Sequence, residues 1–537
     1  MTRNSVVWNI ATLLAVCGNA WALEPEDCAA FVGMEVSGMT VEAAELVEAT
    51  DRLPQHCRLV ALVPEFVRFE LRLPEPWNGK FLMVGNGGYL GVFFDQSYGL
   101  TRGYATASTD TGHQGPDPRF ALNNPQGEID FAYRAVHETA VGAKQLIEQH
   151  YGRAPDYAYF RGCSTGGRQA LMEAQRFPGD FDGWSVGAPI YDYTYKQTYN
   201  ASWVAKALFG NEQSGYVPRE KLKMLGDAVY ASCDAVDGLE DGLIDDPRQC
   251  DFNPREQLRQ CSGGDGADCF TAAQIDAIER IYQGPGEDVY PGAVKGGEWM
   301  DVADGSLGGG WDTFFTGIMS TPQTAEGSDR VGNDPYGGDQ FVPVQFRNGS
   351  SFFQYFAFDP DQPEFDILTD LDFDAVPDVS AIADLMNATD TDLADVRDSG
   401  KKIVMWHGWA DVGLNPLRTI EYYENVESRL APEEPRDFFR LFMVPGMYHC
   451  QGGPGPDIFD DLSALENWVE QGEPPEAMIA YKTREANGFS PDRAPGRVSE
   501  EDAGMTRSGL LCPHPQVSRY TGSGSVDSAA SFQCMAE

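Results

Sequence analysis

Residues 67–73 (VRFELRL) alternate apolar and polar side chains, the period of a strand with one buried face. Residues 80–84 (KFLMV) form a continuous apolar run, as expected of a strand buried on both faces. Residues 103–108 (GYATAS) and 157–160 (YAYF) predict two more short strands. Between those two, residues 131–151 carry Ala135, Ala140, Val141, Ala143, Leu146 and Ile147 at helical spacing, which predicts an amphipathic helix. Residues 167–177 (GRQALMEAQRF) repeat the pattern with Ala170, Leu171, Ala174 and Phe177, and Pro178-Gly179 ends the helix. Two apolar strands follow much later, at 402–406 (KIVMW) and 439–444 (FRLFMV). Alternating strands and helices build a parallel sheet covered on both faces, so the expected fold class is α/β. The rhythm stops between residues 191 and 387, where Gly, Asp, Trp and Phe gather in stretches such as 308–317 (GGGWDTFFTG). That segment reads as a lid domain inserted into an α/β domain formed by residues 23–190 and 388–537. A chain of 537 residues is long enough for such an insertion.

The first 22 residues read as a secretory signal peptide. Arg3 is followed by an apolar run over 6–16 and by Ala20-Trp21-Ala22, a small-x-small cleavage site. The run is too short to span a membrane. The mature chain is therefore expected to begin at Leu23 and to be secreted or periplasmic. Of 11 cysteines, Cys17 falls in the signal, and an even number remains, which in an exported chain predicts five disulfides. Closeness in sequence pairs Cys28 with Cys57, Cys233 with Cys250, Cys261 with Cys269 and Cys512 with Cys534, leaving Cys163 and Cys450. The charge balance argues against nucleic-acid and membrane partners. With 39 basic and 82 acidic residues the net charge is −43, which repels nucleic-acid phosphates and anionic membranes. Such a surface suits solubility in salty surroundings, and most of its carboxylates are expected to be solvated.

Candidate chemistry centres on residues 162–166 (GCSTG), placed between a predicted strand and a predicted helix. That context suits a nucleophile elbow presenting Ser164; a structural turn is the plainer alternative. Residues 85–91 (GNGGYLG) lack the Lys-Ser/Thr of a phosphate-binding loop. They are either a glycine turn or the source of a backbone N–H aimed at an oxyanion. His113 and Asp110, in 109–113 (TDTGH), precede the serine and are expected to brace a loop. Asp411 follows the strand at 402–406 and His449 follows the next, giving the order Ser164, Asp411, His449 of an α/β-hydrolase triad. His407 is expected to brace the turn that carries Asp411. Residues 233–243 (CDAVDGLEDGL) are either a solvated acidic turn or a calcium loop. In the latter, Asp234, Asp237 and Asp241 would be joined by the carbonyls of Leu239 and Leu243, since calcium takes six to eight oxygens.

Cys163-Ser164, Asp411 and His449-Cys450, together with 109–113 and the Asp234 loop, resemble the tannase and feruloyl esterase family over nearly the whole mature chain. The resemblance implies an α/β-hydrolase fold with a large inserted lid and a Cys163–Cys450 bridge. It implies structural Ca2+ on Asp234, Asp237, Leu239, Asp241 and Leu243, and oxyanion N–H groups from Gly88 and Thr165. The implied substrate is a small aromatic ester, such as a ferulate or gallate of plant cell-wall or polyphenol origin. The family also includes hydrolases of mono(2-hydroxyethyl) terephthalate, so terephthalate monoesters are the alternative. A peptidase or acyltransferase could use the same triad. A non-catalytic, calcium-stabilised binding protein is a third reading, and the intact Ser164, Asp411 and His449 count against it.

Overall fold

Ten strands hydrogen-bond into one sheet in the order β1-β2-β3-β4-β6-β5-β7-β8-β9-β10. They are β1 Glu35–Val36, β2 Met39–Val47, β3 His56–Val63, β4 Val67–Pro74, β5 Lys80–Val84, β6 Ala105–Thr109, β7 Tyr157–Cys163, β8 Gly183–Gly187, β9 Lys402–Gly408 and β10 Phe439–Val444. The structure is a computed structural model that describes residues 24–211, 214–286, 288–299, 309–317, 342–431, 435–483 and 504–536. The signal segment and Cys17 lie outside these. From β6 to β10 every neighbouring pair is parallel, whereas β1 to β4 are antiparallel and join the rest through an antiparallel β4–β6 pair. The sheet is thus mixed, not wholly parallel as the strand–helix rhythm suggests. The cause is loop length: only residues 64–66 separate β3 from β4, too few for a crossover helix.

One face of the sheet packs on Ala135–Tyr151 and Thr165–Arg176, with Phe69, Met83, Ala140, Leu146, Phe160 and Leu171 in a common core. The opposite face packs on Asp461–Gln471, where Leu462, Leu465 and Trp468 meet Val404, Trp406 and Phe442. The predicted helix at 131–151 is entered through a wider π turn, Asp130–Arg134. Two C-terminal hairpins that short, polar sequences did not announce complete the chain: Met478–Thr483 with Met505–Leu511, and Gln516–Tyr520 with Phe532–Ala536.

Between β8 and β9 the described residues add no strand to the sheet. The helices Ser202–Phe209, Arg219–Cys233, Ala272–Gln283 and Val344–Tyr355 enclose their own core of Leu208, Leu222, Ile278, Trp311 and Phe352. Tyr89 and Phe131 enter that core from earlier in the chain, and Val412 and Leu414 enter it from the loop after β9. The insertion therefore sits on the carboxyl ends of the parallel strands, where open α/β sheets bind ligands.

Behind the sheet, a charged pair holds Asp461–Gln471 in place. Arg161 donates to Asp461 through Nε at 2.8 Å and Nη2 at 2.9 Å, and the Ser185 hydroxyl also donates to this fully buried carboxylate. Removing one partner of such a pair strands the other charge in the interior. Asp461→Ala is expected to cost about 3 kcal/mol in denaturant unfolding, the low end of the usual range because Arg161 keeps some exposure. The double variant Arg161→Met with Asp461→Leu is expected to cost less than Asp461→Ala alone; a larger cost would contradict the stranded-charge account.

Candidate active site

β7 runs straight into the helix Thr165–Arg176, and Ser164 is the hinge, at φ 63° and ψ −120°. That strained conformation lifts the serine side chain out of the turn. The flanking glycines follow from contact distances. A Cβ on Gly162 would lie 2.6 Å from the Gly166 carbonyl carbon, and one on Gly166 would lie 2.9 Å from the Asn86 carbonyl oxygen. Gly85 is pressed equally close, its Cβ position 2.7 Å from Gly166 Cα. The elbow and the glycine loop after β5 thus touch backbone to backbone.

That contact brings Gly88 and Thr165 together. The Thr165 hydroxyl donates to the Gly88 carbonyl at 3.0 Å, and Gly88 takes φ 52°. The glycine loop is held from two sides. Asn86 donates to Thr109 O at 2.9 Å and Val92 O at 3.1 Å, while His113 Nε2 lies 2.8 Å from Tyr89 O. The His113 ring stacks on Phe120 at 3.8 Å. Asp110 Oδ1 accepts the N–H groups of Arg68 and Gly112, both at 2.9 Å, and burial pushes its carboxyl up to about 6. His113 thus braces the glycine loop, and Asp110 braces the 109–113 turn that carries His113.

The register of β9 on β10 sets Met443 beside His407 and Val444 beside Gly408, so the loops leaving the two strands start side by side. His449 Nδ1–H donates to Asp411 Oδ2 at 2.7 Å, which leaves Nε2 as the proton acceptor of a neutral ring. Asp411 Oδ1 accepts from Gly413 N at 2.8 Å and Leu414 N at 2.9 Å. His407 is more than a turn brace. Its Nε2 faces both Asp411 Oδ2 and Leu414 O at 3.1 Å, which places the proton on Nε2, and Nδ1 lies 2.8 Å from the Thr419 hydroxyl. Burial alone would push the Asp411 carboxyl up, but His449 and His407 reverse this and hold it well below its ordinary value. A depressed carboxylate contributes stability above its ordinary titration range, and that contribution is lost as pH falls through the folded value.

Cys163 and Cys450 form a disulfide with Cα atoms 6.0 Å apart across 287 residues. The bridge ties the residue before Ser164 to the residue after His449. Phe314, from the insertion, stands edge-on to the His449 ring with centroids 5.4 Å apart. The remaining bridges are Cys28–Cys57, Cys233–Cys250, Cys261–Cys269 and Cys512–Cys534.

The acidic loop lies within the Cys233–Cys250 bridge. Asp234 accepts N–H groups from Asp241 and Gly242, Asp237 from Leu239, and Asp241 from Leu243. A further residue, Asp245, joins this group. Burial, with repulsion from Asp237 and Asp241, pushes its carboxyl up to about 8. Crowded carboxylates that raise one another's pKa are the donor set a hard divalent cation would relieve, so the residues fit calcium. Leu243 packs on Gly446, in the turn leading to His449: a Cβ there would lie 2.8 Å from Leu243 Cδ2. Among the described residues, His137, Glu173 and Asp180 are the set whose ligand atoms converge, which those of the acidic loop do not, and there Lys144 already supplies a cation 3.6 Å from Asp180 Oδ1.

The family model "Tannase and feruloyl esterase" matches residues 54–535. The mono(2-hydroxyethyl) terephthalate hydrolase of Piscinibacter sakaiensis is 32% identical over 92% of this chain and 87% of its own. A protein of Arthroderma benhamiae bearing the name "probable feruloyl esterase" is 31% identical over 86% of this chain and 81% of its own. Among solved structures, feruloyl esterase B from Aspergillus oryzae superposes with a TM-score of 0.76 at 23% identity, over 95% of this chain and all of that one. Tannin acyl hydrolase from Aspergillus niger gives 0.67 at 22% identity, over 96% of this chain and 95% of that one. The last two comparisons establish likeness of fold.

The bridge beside Ser164 and His449 predicts a measurable effect. A ~1 Å misplacement of reacting groups can cost on the order of 100-fold in rate. Replacing Cys163 and Cys450 together by alanine is expected to slow phosphonylation of Ser164 by a fluorophosphonate at least about tenfold, at temperatures where the fold persists. Unchanged labelling in a folded double variant would assign the bridge to stability alone.

Proposed function

The chain belongs to the tannase and feruloyl esterase family and is a carboxylic ester hydrolase, and we propose that it is an exported serine esterase that cleaves esters of phenolic acids through an acyl-enzyme on Ser164, His449 and Asp411. The observation that carries this reading is the 2.7 Å His449–Asp411 hydrogen bond beside a disulfide joining the neighbours of His449 and Ser164.

The reaction proceeds from these groups. Ser164 Oγ attacks the ester carbonyl while His449 Nε2 takes its proton. Negative charge develops on the carbonyl oxygen, and the backbone N–H groups of Gly88 and Thr165 receive it, the latter from the first turn of a helix. His449 then returns the proton to the departing alcohol, and the C–O bond breaks. Water enters against the acyl-enzyme, His449 takes its proton, and Ser164 Oγ leaves with that proton to release the acid. Throughout, Asp411 holds the imidazole tautomer and offsets the charge of the imidazolium.

Ferulate and gallate esters are the proposed substrates. Terephthalate monoesters are the second reading, supported by 32% identity to the Piscinibacter sakaiensis hydrolase over most of both chains. Five disulfides and the N-terminal apolar segment support export to the periplasm or beyond. Structural calcium is proposed on Asp234, Asp237, Asp241 and the carbonyls of Leu239 and Leu243. It would neutralise the loop's carboxylates and firm the Leu243–Gly446 contact in the turn leading to His449.

Two outcomes are expected. Ser164→Ala should lower kcat to below about one per cent while its melting curve stays near that of the parent, because oxyanion and binding contacts survive. A screen over gallate, ferulate, coumarate and terephthalate monoesters then ranks the acyl groups, and a variant that keeps most of its turnover would remove Ser164 from the reaction. Exhaustive chelation should lower the melting temperature by several degrees, restored by added Ca2+, because a ligand bound only to the native state stabilises it by mass action. No shift, with no calcium found by elemental analysis, would leave the acidic loop a solvated turn.

A further inference from the structure

We infer that the insertion supplies a positioning residue to the triad: Gln345, held by the buried Lys196, fixes the 412–414 turn that delivers two N–H groups to Asp411. The inference rests on the triad reading above and goes beyond it, because it makes a residue of the insertion part of the acid's support.

Gln345 lies on the helix Val344–Tyr355 and has no solvent exposure. Its Nε2 donates to Gly413 O at 2.8 Å and Asn200 Oδ1 at 2.7 Å, with Val412 O at 3.5 Å. Its Oε1 accepts from Lys196 Nζ at 2.7 Å. Three oxygens on one side and the Lys196 amine, whose pKa burial lowers to about 7, on the other fix the orientation of the amide. Lys196 is itself 2% exposed, and its hydrogen bonds go to the amide oxygens of Gln345 and Gln197. Because the Leu414 N–H, which also donates to Asp411 Oδ1 at 2.9 Å, shares the plane of the Gly413 carbonyl, Gly413 is held through two adjacent peptide planes. Its carbonyl is fixed by Gln345, and its N–H points at Asp411 Oδ1 at 2.8 Å.

Other contacts from the insertion act on the same turn. Val412 and Leu414 are buried in the insertion's core. Asn415 donates to Pro291 O at 3.1 Å and Gly292 O at 2.7 Å. Phe314 presses on Gly413 so closely that a Cβ there would lie 2.5 Å from its ring, and the same ring stands against His449. Hydrophobic contacts hold the turn in place but do not orient a peptide plane. Orientation needs a directional bond, and Gln345 provides one.

Gln345→Glu separates positioning from folding. The isosteric carboxylate gives Lys196 an anionic partner, so stability should be retained. It also sets a carboxylate oxygen against Gly413 O and Asn200 Oδ1, so the turn must rotate away. The expected result is a melting temperature within a few degrees of the parent, with kcat lowered at least about tenfold, KM changed less than about threefold, and fluorophosphonate labelling of Ser164 slowed in proportion to kcat. Gln345→Met, which keeps the volume and removes the bonds, should show the same kinetic loss if Gln345→Glu does not fold. Ile278→Ala, which hollows the same helical core, should lower the melting temperature while keeping kcat within about twofold. Parent-like kcat and labelling in a folded Gln345 variant would overturn the inference, as would an Ile278→Ala variant losing kcat equally. Ser164→Ala is run in parallel: if it abolishes labelling while the Gln345 variants label normally, the positioning role falls and the triad stands. If Ser164→Ala still turns over ester, both fall.

Discussion

A carboxylate with no solvent exposure remains an anion only where donors replace the water it has lost. Asp411 is such a group, and four N–H donors converge on it, two from its own turn, one from His407 and one from His449. Together the donors tie the acid to three parts of the molecule. His407 ends β9, His449 follows β10, and the turn is packed into the core of the insertion. Misplacing any of these would leave charge uncompensated, so the geometry of the site and the stability of the fold are set by the same bonds. The parallel register of β9 on β10 is what lets two histidines reach one carboxylate.

The proposed nucleophile is held by different means. At Ser164 the positive φ is maintained by backbone packed against backbone, with Gly162, Gly166 and Gly85 leaving no room for a side chain. Close-packed interiors transmit such constraints without slack. The disulfide then links this rigid turn to the loop of His449, across a separation of 287 residues between the cysteines. Sheet packing fixes where the two loops begin, and the covalent bridge limits how far their ends drift.

Charge divides the molecule into two regimes. The surface carries the excess that makes the net charge −43. Inside, ions come in bonded sets: Arg161 with Asp461, Lys80 with Glu466 and Glu470, Arg418 with Asp192. At the acidic Asp234 loop several carboxylates crowd one another and Arg507 pairs with Asp241 alone among them, which is the basis of the proposed divalent cation there. The loop's contact through Leu243 to the turn before His449 links that local balance to the site.

The sequence by itself determined the strands at 67–73, 80–84, 402–406 and 439–444, because burial on a pleated sheet imposes local periods that survive in any context. It also determined the elbow, since glycines at 162 and 166 around a serine are needed by a turn only a few residues long, and it fixed the chain order of serine, aspartate and histidine. Tertiary structure decided the rest. The antiparallel half of the sheet follows from loop lengths that composition does not reveal. The role of His407 depends on a rotamer that turns its Nε2 toward Asp411, and the same residue in another rotamer would only brace a loop. Lys196 and Gln345 carried no signal at all: an amide and a lysine in a helical stretch are ordinary surface residues until the fold buries them beside Gly413. Periodicity reports which face of an element is dry, and only the packed chain shows which distant groups share that dry space.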